Sequence, residues 1–402
     1  MIEKNNKRNT DRVRCLFFMF VIYPINNLLS SFFEYYNVAS PNILIILYML
    51  VMIYGIIIIL KYSFTIKDVF VIMIIYVGYF ILYFISTDVA RVEMQSVYMR
   101  LMYLYFTPLS VIIVSHIEDF SELFSKKYVI ISDIFVILTV ISKVFLRDNT
   151  DYMIFSYDLL PFWALIVVVA IYFREKIQWI FSIIILIEAL VFGCRGVLIW
   201  ILTCGSLVYA IVLFYQRNTK KIINKILRFP FFIMTALIAI VEFLPKLLQS
   251  KYAASSYILI RLTMGSLSES SARTEILKLC IDEIKKMGFN INGLFYDRSF
   301  LPHGMYAHNF IIEIILSFGW FLGILFLIFI VKKISGAFFK QTLDGKIIWV
   351  YFLTVLFLRY FISGSIFGEG KFGIFIAVMI ALNKYNQRSQ LLALIKFGQR
   401  GD

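Results

Sequence analysis

Three histidines occur in the 402-residue chain, His116, His303 and His308, and the last stands in "GMYAHNFIIEIILSFGWFLG", residues 304–323. His308 opens a long apolar run, and Glu313 lies five residues inside it. A titratable pair is costly where a membrane helix begins, so it calls for partners or for a task. The cations are the second chemical resource. Arg195 lies in the tight "FGCRGVL" turn, and Arg273 opens "RTEILKLCIDEIKK". Arginine holds phosphate oxygens through a planar fork of donors, so these two are candidate ligands for a phosphate-bearing group. Arg100, Arg298 and Arg359 are supporting candidates. Each of these residues also has an ordinary reading. Asn309 can cap the helix that follows it, with His308 an interfacial side chain. Arg273 can be a solvated loop cation, and Arg100 or Lys143 can snorkel to headgroups. Glu313 is harder to dismiss, because a carboxylate in an apolar run needs a partner.

The elements that must position these residues are membrane helices. The chain is 61% hydrophobic and 16% charged, with a mean hydropathy of +0.85, against roughly 25% charged in soluble domains. Apolar runs near the roughly 20 residues that cross a bilayer recur along it. They fall near 16–33, 42–60, 68–85, 98–115, 128–146, 159–173, 178–192, 197–215, 229–244, 309–331, 347–363 and 366–382. The expected fold is all-α, polytopic, with about twelve spans. Residues 1–244 hold spans one to nine, 245–307 form a long external loop, 308–383 hold spans ten to twelve, and 384–402 form a cytoplasmic tail. The first run is read as a retained span, because no small-residue cleavage site follows its basic flank. The tail "QLLALIKFGQRGD" fits either a short amphipathic surface helix or a frayed end.

Orientation follows from the side on which Lys and Arg accumulate. With the N-terminus inside, 24 of the 39 basic residues fall in inner segments, four in short outer loops, eight in 245–307 and three within spans. Both termini are then cytoplasmic. The net charge of +14 is mostly this topogenic excess, which suits anionic inner-leaflet lipid and needs no nucleic acid. In this arrangement Arg100, Lys143, Arg195 and Arg359 share the outer layer with Glu188, Glu242 and Glu313, while Asp133 sits near the inner side. Four cations at one level make a basic basin that opens outward.

Within the external loop, "SSARTEILKLCIDEIKKMGFNINGLF" reads as an amphipathic helix, with Ile276, Leu277, Cys280, Ile281, Ile284 and Met287 at helical spacing and Gly288 as a stop. Arg273 falls in its first turn, a poor place for a cation in dipole terms, which favours a ligand role. The four cysteines show no paired spacing and imply neither disulfide nor metal site. There is no Walker loop, dinucleotide fingerprint, HExxH motif or outer Asp-x-Asp pair, which argues against soluble-cofactor chemistry.

Taken in order, the "CRG" turn at the outer start of a middle span, the long loop with "RTEILKLCIDEIKK", and "HNFIIEIILSFGWFLG" resemble the bacterial O-antigen polymerase and O-antigen ligase superfamily. Ten residues separate His308 from Gly319, the spacing of that family. The likeness covers mainly residues 190–330. It departs at Cys194, where serine is commoner, and at Gly319 and Gly323, four apart where the ligase pattern tends to use three. The resemblance implies a membrane glycosyltransferase C-like fold and a metal-independent enzyme without cofactor, whose donor is an undecaprenyl-diphosphate-linked oligosaccharide. It implies His308 as general base on an acceptor hydroxyl, Arg195 and Arg273 on the diphosphate, and Glu313 as orienter of the imidazole or anchor of the helix end at Asn309. Membrane lipid and a chain-length regulator protein are the implied partners. The glycine departure and the Ile/Phe/Tyr-rich character favour a polymerase of O-antigen or capsular repeats over a ligase acting on lipid A core. A flippase for lipid-linked oligosaccharide is the alternative of another class. It needs charge along a whole path, whereas the charge here is layered at one face.

Overall fold

The structure, a computed structural model, describes residues 2–38, 42–62, 65–145, 152–215 and 272–385. Among these it is all-helical, and seven helices are long and apolar enough to cross a membrane: Asn6–Tyr35, Ile43–Tyr62, Ile66–Ile85, Val97–Ser115, Met153–Phe173, Gly196–Tyr215 and Phe310–Phe339. The chain is therefore membrane-embedded, and the side chains agree. Leu50, Leu60, Ile74 and Phe84 are 57%, 78%, 70% and 71% exposed, an apolar surface far beyond what a water-soluble monomer tolerates.

The chain divides into two compact units, residues 1–128 with 270–402, and residues 129–269. The first unit begins with α1 (Ile2–Tyr35), α2 (Ile43–Tyr62), α3 (Ile66–Ile85), the short α4 (Asp88–Gln95) and α5 (Val97–Leu101). A π turn (Met102–Phe106) carries α5 into α6 (Thr107–Ser115). Thr65 and Asp68 form a reciprocal capping box at the start of α3, and Thr87 and Ser96 cap α4 and α5. These side chains satisfy amides that have no partner within a helix.

The second unit is built on α7 (Lys126–Phe145), α8 (Tyr152–Phe173), α9 (Lys176–Val191) and α10 (Arg195–Tyr215), with the start of α7 at the boundary. The middle of α8 is buried all round, Trp163 included, as expected of a helix without a polar face. It packs against both α9 and α10. Gly205 lets α10 approach closely, since a Cβ there would stand 3.3 Å from Ile171 and Val167.

The first unit resumes with α11 (Ala272–Met287), α12 (Phe310–Phe339), α13 (Leu343–Leu356) and α14 (Lys371–Lys384). Here the structure differs from a simple succession of spans. The expected run 347–363 stops at Leu356 and turns into a 3-10 turn, Leu358–Phe361. The expected run 366–382 begins its helix only at Lys371. The intervening "SGSIFGEG" carries three glycines, one of them Gly364 at φ +86°, a conformation that ends helices. With α9 at 16 residues and α13 and α14 at 14 each, these elements fall short of a full crossing by length. The expected span 229–244, the loop 216–228, Glu242, residues 245–271 and the tail from 386 lie outside the described residues.

Candidate functional site

The site is organised by a break in α12. Gly319 sits at φ 72° and ψ 174° inside the helix, a region essentially confined to glycine. The break frees the carbonyls of Leu316 and Ser317, and the loop after α11 takes them. Asn292 and Gly293 donate backbone N–H groups to Ser317 O at 3.1 and 3.0 Å, and the Asn292 amide donates to Leu316 O at 3.1 Å. The approach is so close that a Cβ at Gly319 would lie 2.6 Å from Asn290 O. Gly323 makes the complementary room, since a Cβ there would stand 3.1 Å from Ile315 Cα.

On this joint rests α11, whose Ile276, Cys280, Ile284 and Met287 pack with Leu301, Ala307, Ile315 and Leu316. The Trp320 indole donates to Ile284 O at 3.2 Å. Leu277 and Ile281, read from spacing as part of the same face, are 39% and 41% exposed and lie beside it. Gly288 ends the helix at φ +63°.

From the joint the chain returns through the 3-10 turns Tyr296–Ser299 and Pro302–Gly304 to the residues before α12. Asp297 is buried and accepts from the backbone N–H of Ala307 at 2.8 Å and of Arg298 at 3.1 Å. Burial pushes its pKa above the ordinary carboxylate value, and these two amides pull against that. His308 follows at φ +54°, a left-handed conformation that costs a non-glycine residue roughly 1–2 kcal/mol. Its ring lies 4.0 Å from that of Tyr306, tilted by 45°, and the Tyr306 hydroxyl accepts from the Gly364 N–H at 3.4 Å. The Nδ1 atom of His308 is buried and has no hydrogen-bond partner among the described residues. Burial first, and then the positive charge of Arg273, push the imidazole pKa down to about 4. The ring is therefore neutral throughout the physiological range.

The structure thus places two of the sequence-selected residues, His308 and Arg273, 35 positions apart in the chain, within electrostatic reach of each other. Arg273 is exposed in the first turn of α11. Among the other candidates, Asn309 takes the capping reading that its position offers, and the rest have other settings. Asn309 is the helix cap, accepting from Ile311 and Ile312 N–H at 3.0 and 3.3 Å. Glu313 is 1% exposed, and its carboxylate neither orients the imidazole nor anchors Asn309. It accepts from the Ser365 hydroxyl and from the Ile366 N–H at 3.0 Å, so it ties α12 to the turn before α14. Arg298 pairs with Glu93 at 2.5 Å and lies 4.3 Å over the Phe295 ring, which joins the loop to α4. Arg359 is buried in the 3-10 turn and donates to Glu369 at 2.6 Å. Arg100 is exposed at the end of α5, and its side chain makes no hydrogen bond or ion pair among the described residues. Arg195 opens α10 in the second unit.

Several polar residues of the first unit were not singled out for a site by the sequence. Lys371 is 1% exposed, lies 4.2 Å over the Tyr23 ring and stands 3.9 Å from Glu369. Glu369 carried a signal, an acid between two glycines that interrupt an apolar stretch. Asp297 carried none, because an acid in a polar loop is ordinary.

No family model matches the chain, and no curated protein or solved structure matches it to a significant degree.

Proposed function

We propose that the chain is a polysaccharide polymerase, which joins undecaprenyl-diphosphate-linked oligosaccharide repeats at the outer face of the cytoplasmic membrane. The observation that carries this reading is the meeting of a neutral, half-buried His308 with the Arg273 guanidinium. General-base work on a hydroxyl and charge stabilisation of a departing diphosphate need those two groups in one place. The order of motifs resembling the O-antigen polymerase and ligase superfamily, and the membrane-embedded helical fold, support it.

In the proposed step the acceptor sugar hydroxyl attacks the anomeric carbon of the donor. The carbon–oxygen bond to the lipid diphosphate breaks, the diphosphate leaves with the electron pair, and the hydroxyl proton passes to the imidazole. Arg273 holds the leaving oxygens, and Arg195 stays a candidate phosphate ligand on the chemistry of its guanidinium alone. The bound diphosphate also opposes the field of Arg273 at His308. It therefore raises the imidazole pKa when the base is needed, and strengthens its pull on the proton. Cytoplasmic termini and an outer-facing site belong to the same proposal.

The test is extension of lipid-linked repeats by the purified protein in lipid nanodiscs, read as a ladder of polymer lengths. Transfer to a lipid A core acceptor in place of extension would establish the ligase reading. Movement of the donor across a bilayer without any new glycosidic bond would establish the flippase reading.

A further inference from the structure

We infer that Asp297 and Tyr306 are positioning residues for His308, a reading that rests on the proposed base role and deepens it. A general base needs its ring held in place, commonly by an acceptor on its second nitrogen. Nothing holds that nitrogen here: Nδ1 is buried without a partner among the described residues, and the nearest carboxylate of α12, Glu313, is taken by Ser365 and Ile366. The orientation has to come from elsewhere.

It comes from three elements that each grip the segment 306–309 at a different point. On the N-terminal side the Ala307 N–H is bound by Asp297 Oδ2 at 2.8 Å, and Asp297 is itself 1% exposed within its 3-10 turn. On the C-terminal side Asn309 is locked as the cap of α12. Laterally the Tyr306 ring covers the imidazole at 4.0 Å and reaches the Gly364 turn through its hydroxyl. With Ala307 and Asn309 held on either side, His308 is left in the left-handed conformation, which an untethered chain would relax. The carboxylate that orients the base acts one peptide away, through the backbone, and the aromatic ring sets the tilt.

The charged groups around the segment are Arg273 on α11, Asp297 and Arg298 on the 3-10 turn, Glu313 on α12, and the Arg359–Glu369 pair beside the Gly364 turn. Of these, only Arg273 acts on the imidazole appreciably, and burial does more. Release of the tether therefore has a definite signature. A freed ring hydrates and moves away from Arg273, so its titration midpoint rises from about 4 toward the ordinary value of roughly 6.5.

The experiment uses the full chain in nanodiscs, with the three histidines labelled and each assigned through its own His→Gln variant. Asp297→Ala is expected to raise the His308 midpoint by one unit or more and to slow glycan extension on the order of 10²-fold, the usual cost of misplacing a reacting group by about 1 Å. Asp297→Asn keeps an acceptor for the Ala307 N–H and should restore the midpoint and most of the rate. Tyr306→Ala should also raise the midpoint, whereas Tyr306→Phe keeps the ring and should change the rate less than threefold. An unshifted His308 midpoint in Asp297→Ala overturns the inference whatever happens to activity. If that variant does not fold, Tyr306→Ala decides by the same measurement. A shifted midpoint together with an active His308→Ala protein would leave the positioning intact and remove the base role, so the two readings fail separately.

Discussion

A neutral imidazole within electrostatic reach of the Arg273 guanidinium has consequences at single-residue scale. Loss of the base should cost on the order of 10²–10⁴-fold in rate. His308→Ala is therefore expected to abolish measurable extension while the protein still inserts and binds donor, and an extension rate near wild type would remove His308 from the mechanism. His303, in the turn five residues earlier, should tolerate alanine better. The pH dependence carries a sign. Because the free imidazole titrates near 4, kcat/KM should fall only as pH drops toward that value. The limb in kcat should lie higher, since bound diphosphate favours the imidazolium. Arg273→Ala removes one of the two causes of the low value, so the kcat/KM limb should move up while donor binding weakens. Arg195→Lys retains charge and loses the fork, so it should lose much activity. Wild-type kinetics in either arginine variant would return that residue to the solvated surface.

At the scale of elements, the decisive feature is the break in α12. Gly319 supplies a backbone conformation that other residues reach only at a cost of about 1–3 kcal/mol, and its missing Cβ lets Asn290 approach. Gly319→Ala should therefore lower stability by at least that strain and loosen the loop that carries Asp297. Unfolding in detergent, read with protease sensitivity of residues 288–309, checks it, and a variant as stable and as protected as wild type would show the joint to be dispensable. Glu313 makes a different joint. Truncation to alanine strands the Ile366 N–H and the Ser365 hydroxyl in a buried place, and each unsatisfied group costs roughly 1–3 kcal/mol. Glu313→Gln keeps an acceptor and should be milder. Equal losses in the two variants would mean that the charge, and not the tie to the 365–366 turn, is what matters. An amphipathic period and a glycine stop outlined α11 well. That α12 breaks at Gly319 was not legible, because a glycine in an apolar helix is common and only its dihedral angles and the incoming loop distinguish a joint from a tolerated residue.

For the whole molecule, the open quantity is which face meets which side of the membrane. On the proposed reading, the asymmetry of basic residues would put the termini and 216–228 inside and 245–307 outside. Reporter fusions after Tyr62, Leu227 and Gln249 read that arrangement directly. Phosphatase activity after Leu227, or none after Gln249, would reverse the proposed sidedness and with it the access of His308 to an outer-leaflet donor.

What the sequence determined by itself is set by composition and local pattern. The apolar excess commits the chain to lipid, and long runs without breakers commit most of it to helices, because a bilayer leaves backbone polar groups no other partner. His308 and Arg273 were selected by residue type and setting. The tertiary structure decided what each polar group touches. Glu313 reads as a partner for His308 because five residues are one turn and a half of helix, yet it turns to a serine and an amide 52 and 53 positions away. Arg298 and Arg359 read as free forks until Glu93 and Glu369 take them. Asp297, silent in the sequence, becomes the tether. Spacing reports neighbours along one helix, whereas a buried charge is satisfied by whichever donor or acceptor the packing of distant segments delivers.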